Sequence, residues 1–128
     1  MVRRFFALLA VTVLFLTSGC GLVALRSQAP LVRRPEIGFA SQRGLRDHFA
    51  KHGHEFRAVS EAKYLELAQT LRDAKVGGNI LEGVRSDGVR TRFDKKSGAF
   101  LAYNEDGTIR TMFKPNDGEA YYWRQLKR

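Results

Sequence analysis

The fold class is determined largely by residues 80–115, which read ILEGVRSDGVRTRFDKKSGAFLAYNEDGTIRTMFKP. This stretch consists of short runs rich in β-branched and aromatic residues, separated by SDG, KKSG and EDG. Each separator ends in glycine, which adopts the positive φ angles of tight hairpin turns at the lowest steric cost. The stretch predicts a meander of antiparallel strands. A further run, AYYWRQL at residues 120–126, makes the expected number of strands four or five.

Alternation along the strands assigns their side chains to the two faces of the sheet. One face is expected to be apolar and to carry Val89, Thr91, Phe93, Ile109, Thr111 and Phe113. Met112 falls on the opposite face, which is also expected to carry a stripe of basic residues: Arg90, Arg92, Arg110 and Lys114.

Two helices are expected ahead of the strands. Ser41 is a suitable N-cap for a helix that runs to about residue 51, where Gly53 supplies a stop. Ser60 caps a second helix, which has apolar residues at helical spacing and ends at Gly77 and Gly78. The predicted fold is α+β, with two N-terminal helices packed on an antiparallel meander of four to five strands, and the domain spans residues 41–128.

The N-terminal residues have the order of an export signal. Arg3 and Arg4 precede an uncharged apolar run from Phe5 to Leu16, which is shorter than a membrane-spanning helix requires. Cys20 follows TSG and resembles the lipidated cysteine of a bacterial lipobox, although Thr17 replaces the usual aliphatic residue. We expect a lipoprotein-type signal peptide at residues 1–19 and a tether at residues 20–40. Ordinary secretory cleavage and a retained anchor are the alternatives.

The net charge of the chain is +9, and it is still +7 without the two signal arginines. A basic surface of this size suits a polyanion, either nucleic acid or an anionic membrane face, although solubility alone also explains it. A single cysteine allows no intrachain disulfide, so the core must supply the stability. The chain contains no GxxxxGK[ST], GxGxxG or GxSxG motif, and no cofactor is implied.

All three histidines lie in DHFAKHGHEF, residues 47–56. On a helix, His48 and His52 would share one side and could bind a metal together with His54 or Glu55. Gly53, however, interrupts the helix between His52 and His54. The histidines could instead mark a helix C-terminus, where positive charge is favourable. They could also serve as acid and base in RNA cleavage. The residues alone leave these interpretations open.

The ordered set LRDHFAKHGHEF, SEAKYLELAQTL, the strand-rich stretch and AYYW resembles a known family over residues 45–123. The family comprises the C-terminal nuclease domains of bacterial polymorphic toxins (CdiA-type) and related phage proteins, within the barnase–EndoU–colicin–RelE-like superfamily. The resemblance implies a metal-independent ribonuclease that needs no cofactor. Many relatives cut tRNA, and most are paired with an immunity protein.

The resemblance also implies roles for individual residues. His48 or His52 would be the general base or acid, and Arg92 and Lys114 would stabilise the phosphate. Thr111 and Tyr121 would donate hydrogen bonds, with Tyr122 as the alternative tyrosine. Residues expected to contact RNA phosphates are Arg90, Arg110 and Lys114. Thr111 has a structural alternative as a core hydroxyl, because alternation places it on the apolar face.

The sequence thus predicts an exported, monomeric, toxin-like ribonuclease, anchored to the membrane through Cys20 and facing the periplasm or the cell surface. The alternative is a non-catalytic envelope lipoprotein that uses the same fold to bind a protein or a polyanion. The two differ in one geometric requirement. The enzyme interpretation predicts His48 or His52 near Arg92 and Thr111 in one cleft. Scattered histidines with no cationic neighbour would favour binding or a structural role.

Overall fold

The computed structural model describes residues 32–128. The expected signal peptide, Cys20 and most of the expected tether lie outside the described residues. The described part contains three α-helices, one short 3-10 turn and four strands, and the predicted α+β class is confirmed. In chain order the elements are α1 (Gln42–His52), the turn Gly53–Phe56, α2 (Glu61–Asp73), β1 (Ile80–Val84), β2 (Arg90–Asp94), β3 (Ala99–Tyr103), β4 (Ile109–Phe113) and α3 (Glu119–Leu126).

The first two helices begin where the capping residues predict. Ser41 Oγ accepts a hydrogen bond from the Gly44 amide, and Ser60 Oγ accepts one from the Lys63 amide. Each bond satisfies one of the amides that a helix leaves unpaired in its first turn. The second helix ends at Asp73, earlier than the glycine pair predicted.

The four strands form one antiparallel sheet in the order β1-β2-β3-β4. Gly88 and Gly98 stand in the first two hairpin turns at φ angles of 80° and 77°, as the turn signals predict. Between β3 and β4 the register shifts at Ala102 and Tyr103, so that Tyr103 pairs with Ile109 while Ala102 pairs with Thr111. This irregularity places Ile109 with Met112, on the face opposite to Thr111 and Phe113. The expected grouping of Ile109 with these two residues is therefore wrong.

Both faces of the sheet are covered, and the expected basic stripe is divided: Arg90 and Arg92 line one cleft and Arg110 lines another. One core lies between the sheet and α1 and α2, around Tyr64, Leu101 and Met112. The second core lies on the other face, around Phe93, Phe100 and Tyr122.

The second core is closed by α3, which the sequence predicted as a fifth strand. Helical spacing explains the difference, because Tyr122 and Leu126, four residues apart, both pack on the sheet. Trp123 also donates its indole N–H to Glu119 one turn earlier, at 3.0 Å. None of the helices within residues 32–128 has the length and apolar character needed to cross a membrane.

The folded part begins before Ser41, within the expected tether. Phe39 forms a parallel bridge with Ile109 at the edge of the sheet. The Gln69 side chain donates hydrogen bonds to the carbonyls of Pro35 and Ile37 at 2.9 and 3.0 Å. The buried guanidinium of Arg72 donates to the carbonyls of Arg34, Ile37 and Gly107. These contacts hold residues 34–39 against α2 and the β3–β4 turn.

Candidate active site at the edge of the sheet

The C-terminal half of α1 carries His48 and His52 along the β4 edge of the sheet. The two side chains are one helical turn apart, and their ring centroids are separated by 6.3 Å. The His52 ring lies 5.4 Å from the ring of Phe113 on β4. The helix that precedes the sheet therefore brings both histidines to one stretch of surface beside β4.

The turn at Gly53–Phe56 directs Glu55 back onto His52. Glycine permits this turn because a side chain at residue 53 would lie 2.5 Å from the Phe49 ring. The Glu55 carboxylate meets His52 Nδ1 at 2.9 Å through Oε1. Its second oxygen accepts the backbone N–H of Lys114 at 2.7 Å.

This arrangement orients the His52 imidazole. An ionised carboxylate can only accept hydrogen bonds, so Glu55 favours the tautomer of His52 that carries its proton on Nδ1 and leaves Nε2 as the acceptor. The Lys114 amide fixes the carboxylate in turn, and the side chains of His52 and Glu55 are only 25% and 22% exposed. A carboxylate that orients a partly exposed histidine is a recurring element of acid–base sites.

His48 has a different environment from His52. Burial lowers the pKa of His48 below its ordinary value of 6.5, and the charges of His52 and Lys51 lower it further, against an opposing effect from Asp47. Its Nδ1 atom is buried and has no hydrogen-bond partner within residues 32–128. At neutral pH His48 is therefore uncharged and able to accept a proton.

His48 lines a cleft of about 340 Å³ next to β4. Arg110 lines the same cleft, and its guanidinium donates to Asn104 Oδ1 at 3.3 Å. Arg110 is exposed, because the register shift in β4 turns it away from both cores. The cleft thus combines a neutral imidazole with a cation.

Thr111, Tyr121 and Lys114 lie around the same edge. Thr111 and Phe113 point to the α3 face of the sheet, where the Tyr121 ring packs 5.3 Å from Phe113. Tyr121 and His52 thus both pack against the Phe113 ring. The Lys114 ammonium lies 5.3 Å from the centre of the Phe56 ring, beside the turn that carries Glu55. Tyr122, the alternative to Tyr121, is buried in the second core at 1% exposure.

Arg92 does not join the histidines, contrary to the expected cleft. It lies on β2, which is separated from β4 by β3, and two strand spacings amount to roughly 10 Å. It is 7% exposed, donates to Glu82 at 2.6 Å and donates to the carbonyls of Leu71 and Ala74. Arg92 thus satisfies the C-terminal carbonyls of α2. Arg90 lies on the same face, in a separate cleft.

From the sequence, Glu55 was expected only as a possible metal ligand and not as a partner that orients His52. Its position three residues after His52 was visible, but its orientation depends on the turn at Gly53 and on the Lys114 amide, 59 residues later. His54 is exposed, and within residues 32–128 no three His, Cys, Asp or Glu side chains form a group that could hold a metal.

Comparison with protein-family models found no family that matches the chain, and no curated protein matches it.

Proposed function

We propose that the protein is a metal-independent endoribonuclease whose active site is the histidine edge, the surface formed by His48, His52, Glu55 and Arg110. The observation that carries the proposal is the chain of contacts from the Lys114 amide through Glu55 to His52, with an uncharged histidine one helical turn away. Two imidazoles in different environments can act as base and acid in the same reaction.

The proposed reaction begins with uncharged His48, which removes the proton from a ribose 2′-hydroxyl. The 2′-oxygen attacks the adjacent phosphorus, and the bond from phosphorus to the 5′-oxygen breaks. His52, carrying a second proton on Nε2 and paired with Glu55, protonates the departing oxygen. The products are a 2′,3′-cyclic phosphate and a 5′-hydroxyl, and hydrolysis of the cyclic phosphate restores the protonation states of the two histidines.

Cations near the histidines support the same chemistry, because negative charge develops on the phosphate as the new bond forms. Arg110 lines the same cleft as His48, and Lys51 lies close enough for its charge to lower the pKa of His48. Lys114 lies on the other side, next to Glu55. Tyr121 packs against Phe113, and Thr111 lies on the same face of the sheet, so we assign these two residues a role in contacting the RNA outside the reacting phosphate. Arg92, which the sequence placed beside the histidines, lies away from them at the end of α2, so the proposal replaces it with Arg110 as the cation of the His48 cleft.

The resemblance to polymorphic-toxin nucleases supports tRNA as the substrate class. It covers the histidine stretch, most of α1, all of α2, the four strands and the start of α3.

The N-terminal sequence supports export and lipid attachment at Cys20. Growth of cells with labelled palmitate tests the lipid anchor, because the label should enter the wild-type protein and be lost from Cys20→Ser.

The experiment that tests the function is incubation of the purified full-length protein with total RNA in the presence of EDTA. We expect cleavage to products that end in a 2′,3′-cyclic phosphate, and no cleavage of tRNA whose 2′-hydroxyls are methylated. Failure of well-folded protein to cut any RNA would overturn the proposal and leave the binding alternative.

A further inference from the structure

A second cleft, of about 560 Å³, opens on the α2 face of the sheet, away from the histidine edge. It lies between the C-terminal end of α2, strands β1 to β3 and the segment that precedes α1. Its lining contains six basic side chains and three carboxylates. The basic ones are Arg33, Arg34, Arg72, Lys75, Arg90 and Arg92, and the carboxylates are Asp73, Glu82 and Glu105.

Two of the arginines are neutralised inside the wall of the cleft. Arg72 donates to Asp73 at 2.8 Å, and both side chains are almost fully buried. Burial opposes ionisation of Asp73, but hydrogen bonds from Arg72 and from the backbone of Arg33 outweigh it and lower the pKa of the carboxyl. Arg92 is paired in the same way with Glu82. These pairs build the cleft and leave no charge for a ligand.

The remaining cations face the open cleft without full compensation. Arg90 lies 3.7 Å from Glu82, but that carboxylate already accepts hydrogen bonds from Arg92 and Tyr103. The side chains of Arg33 and Lys75 have no carboxylate within 4.0 Å among the described residues. Glu105 is the one further carboxylate of the lining, so the cleft keeps an excess of positive charge.

The two clefts meet at the β3–β4 turn. Glu105 lines the cationic cleft, and the preceding residue, Asn104, lines the cleft of His48 and Arg110. The segment at residues 34–39 runs between them, and Arg34 donates to the carbonyl of Asp106 in this turn at 3.0 Å. A phosphodiester chain that leaves the histidine edge over the turn would reach the free cations of the second cleft.

We propose that the cationic cleft binds the backbone phosphates of RNA and holds the substrate beyond the cleavage point, an inference that rests on the proposed function. The contacts are charge pairs from Arg33, Lys75 and Arg90 to phosphate oxygens, so binding is independent of base sequence. A concave site with charges on three of its walls suits a threaded chain better than the flat surface of an anionic bilayer.

The test is the salt dependence of binding to a short fluorescent oligonucleotide with 2′-O-methyl groups, which cannot be cleaved. We compare the full-length protein with Lys75→Ala/Arg90→Ala and with a control that loses the same charge elsewhere, Lys63→Ala/Lys96→Ala. Loss of two phosphate contacts should reduce the slope of log K against log salt by about 1.4 and weaken binding at low salt. The control should keep the wild-type slope. Equal slopes for the two double variants would overturn the inference.

Cleavage kinetics separate this inference from the proposed function. Lys75→Ala/Arg90→Ala should raise KM for long RNA about tenfold. The increase in KM should be much smaller for a dinucleotide, which is too short to span both clefts. If the wild type cuts no RNA but binding depends on Lys75 and Arg90, the function fails and the binding site stands. If cleavage occurs and the double variant behaves as wild type, the site fails alone. The RNA assignment would also be overturned if Lys75→Ala/Arg90→Ala bound RNA as the wild type does and lost only its binding to phosphatidylglycerol vesicles.

Discussion

Arg92 occupies the junction between α2 and the sheet, where its guanidinium serves two groups at once. It neutralises Glu82 and donates to carbonyls at the end of α2. Burial opposes ionisation of Glu82, but hydrogen bonds from Tyr103 and Arg92 keep its pKa below the ordinary value. Removing the guanidinium would leave the carbonyls of Leu71 and Ala74 without this donor. The partly buried Glu82 carboxylate would lose its closest cation and keep only Tyr103 and the more distant Arg90.

We therefore predict that Arg92→Met lowers the free energy of unfolding by about 2–3 kcal/mol, because two helix carbonyls and a partly buried carboxylate lose a charged donor. Urea denaturation measures this value. Glu82→Gln/Arg92→Met should recover part of the loss, because no carboxylate then lacks its closest cation. Lys63→Met, which removes an exposed pair with Glu66, is the matched control and should change stability far less. A loss no larger than that of the control would contradict the structural role of Arg92.

His48 gives the stability a pH dependence with a defined sign. Because its pKa is lower in the folded state than in the unfolded state, unfolding takes up a proton at acid pH. Its contribution is complete above about pH 6.5 and is lost as the pH falls toward the folded pKa. We predict that His48→Gln loses less stability than the wild type between neutral pH and about pH 5.

Thermal unfolding at a series of pH values tests this prediction. Exposed His54 supplies the control, since His54→Gln should follow the wild-type profile. Parallel profiles for all three proteins would show that His48 is not the titrating group.

At the scale of elements, α3 depends on its helical face. Tyr122 is 1% exposed and packs on Phe93, whereas Trp123 is 49% exposed. We predict that Tyr122→Ala lowers the free energy of unfolding by about 3–5 kcal/mol, the usual loss for a large buried aromatic residue. Trp123→Ala should cost much less. Arg124→Ala decides between helix and strand, because residue 124 would share the face of Tyr122 in a strand but is exposed in the helix. A large loss in Arg124→Ala, measured by urea denaturation, would contradict the helix.

The turn after α1 gives a prediction about function. Glu55 holds Nδ1 of His52, and the proposed reaction needs this orientation. We predict that Glu55→Gln slows RNA cleavage on the order of 10²-fold, at the lower end of the range for acid–base groups. The loss should appear in kcat rather than KM, because Glu55 does not touch the substrate. An unchanged kcat in single-turnover cleavage would remove Glu55 from the site.

The elements that local chemistry specifies could be predicted from the sequence. Ser41 and Ser60 mark the helix starts, and the glycine turns mark the hairpins, because caps and turns depend on neighbouring residues only. The register shift in β4 and the helical state of residues 119–126 could not be read, because tertiary packing against the sheet decides both. The same limit applies to Arg92, whose pairing with α2 joins residues 18–21 positions apart.

At the scale of the whole molecule, the fold separates residues that the sequence placed in one site. His48, His52, Arg110 and Lys114 surround the β4 edge, and Arg90 belongs to a cleft on the α2 face. The order of motifs along the chain specified the strands but not the pairing of side chains across layers. We therefore propose catalysis at the histidine edge and extended RNA binding in the cationic cleft, two regions that both adjoin the β3–β4 turn.

The proposed function requires that His52 act on RNA, and its neighbour His54 offers a matched control two residues away. The measurement is the single-turnover rate of tRNA cleavage in EDTA by the wild type, His52→Ala and His54→Ala. We predict similar cleavage rates for the wild type and His54→Ala, and a decrease in the rate on the order of 10³-fold for His52→Ala. Equal rates for the two variants would contradict this prediction.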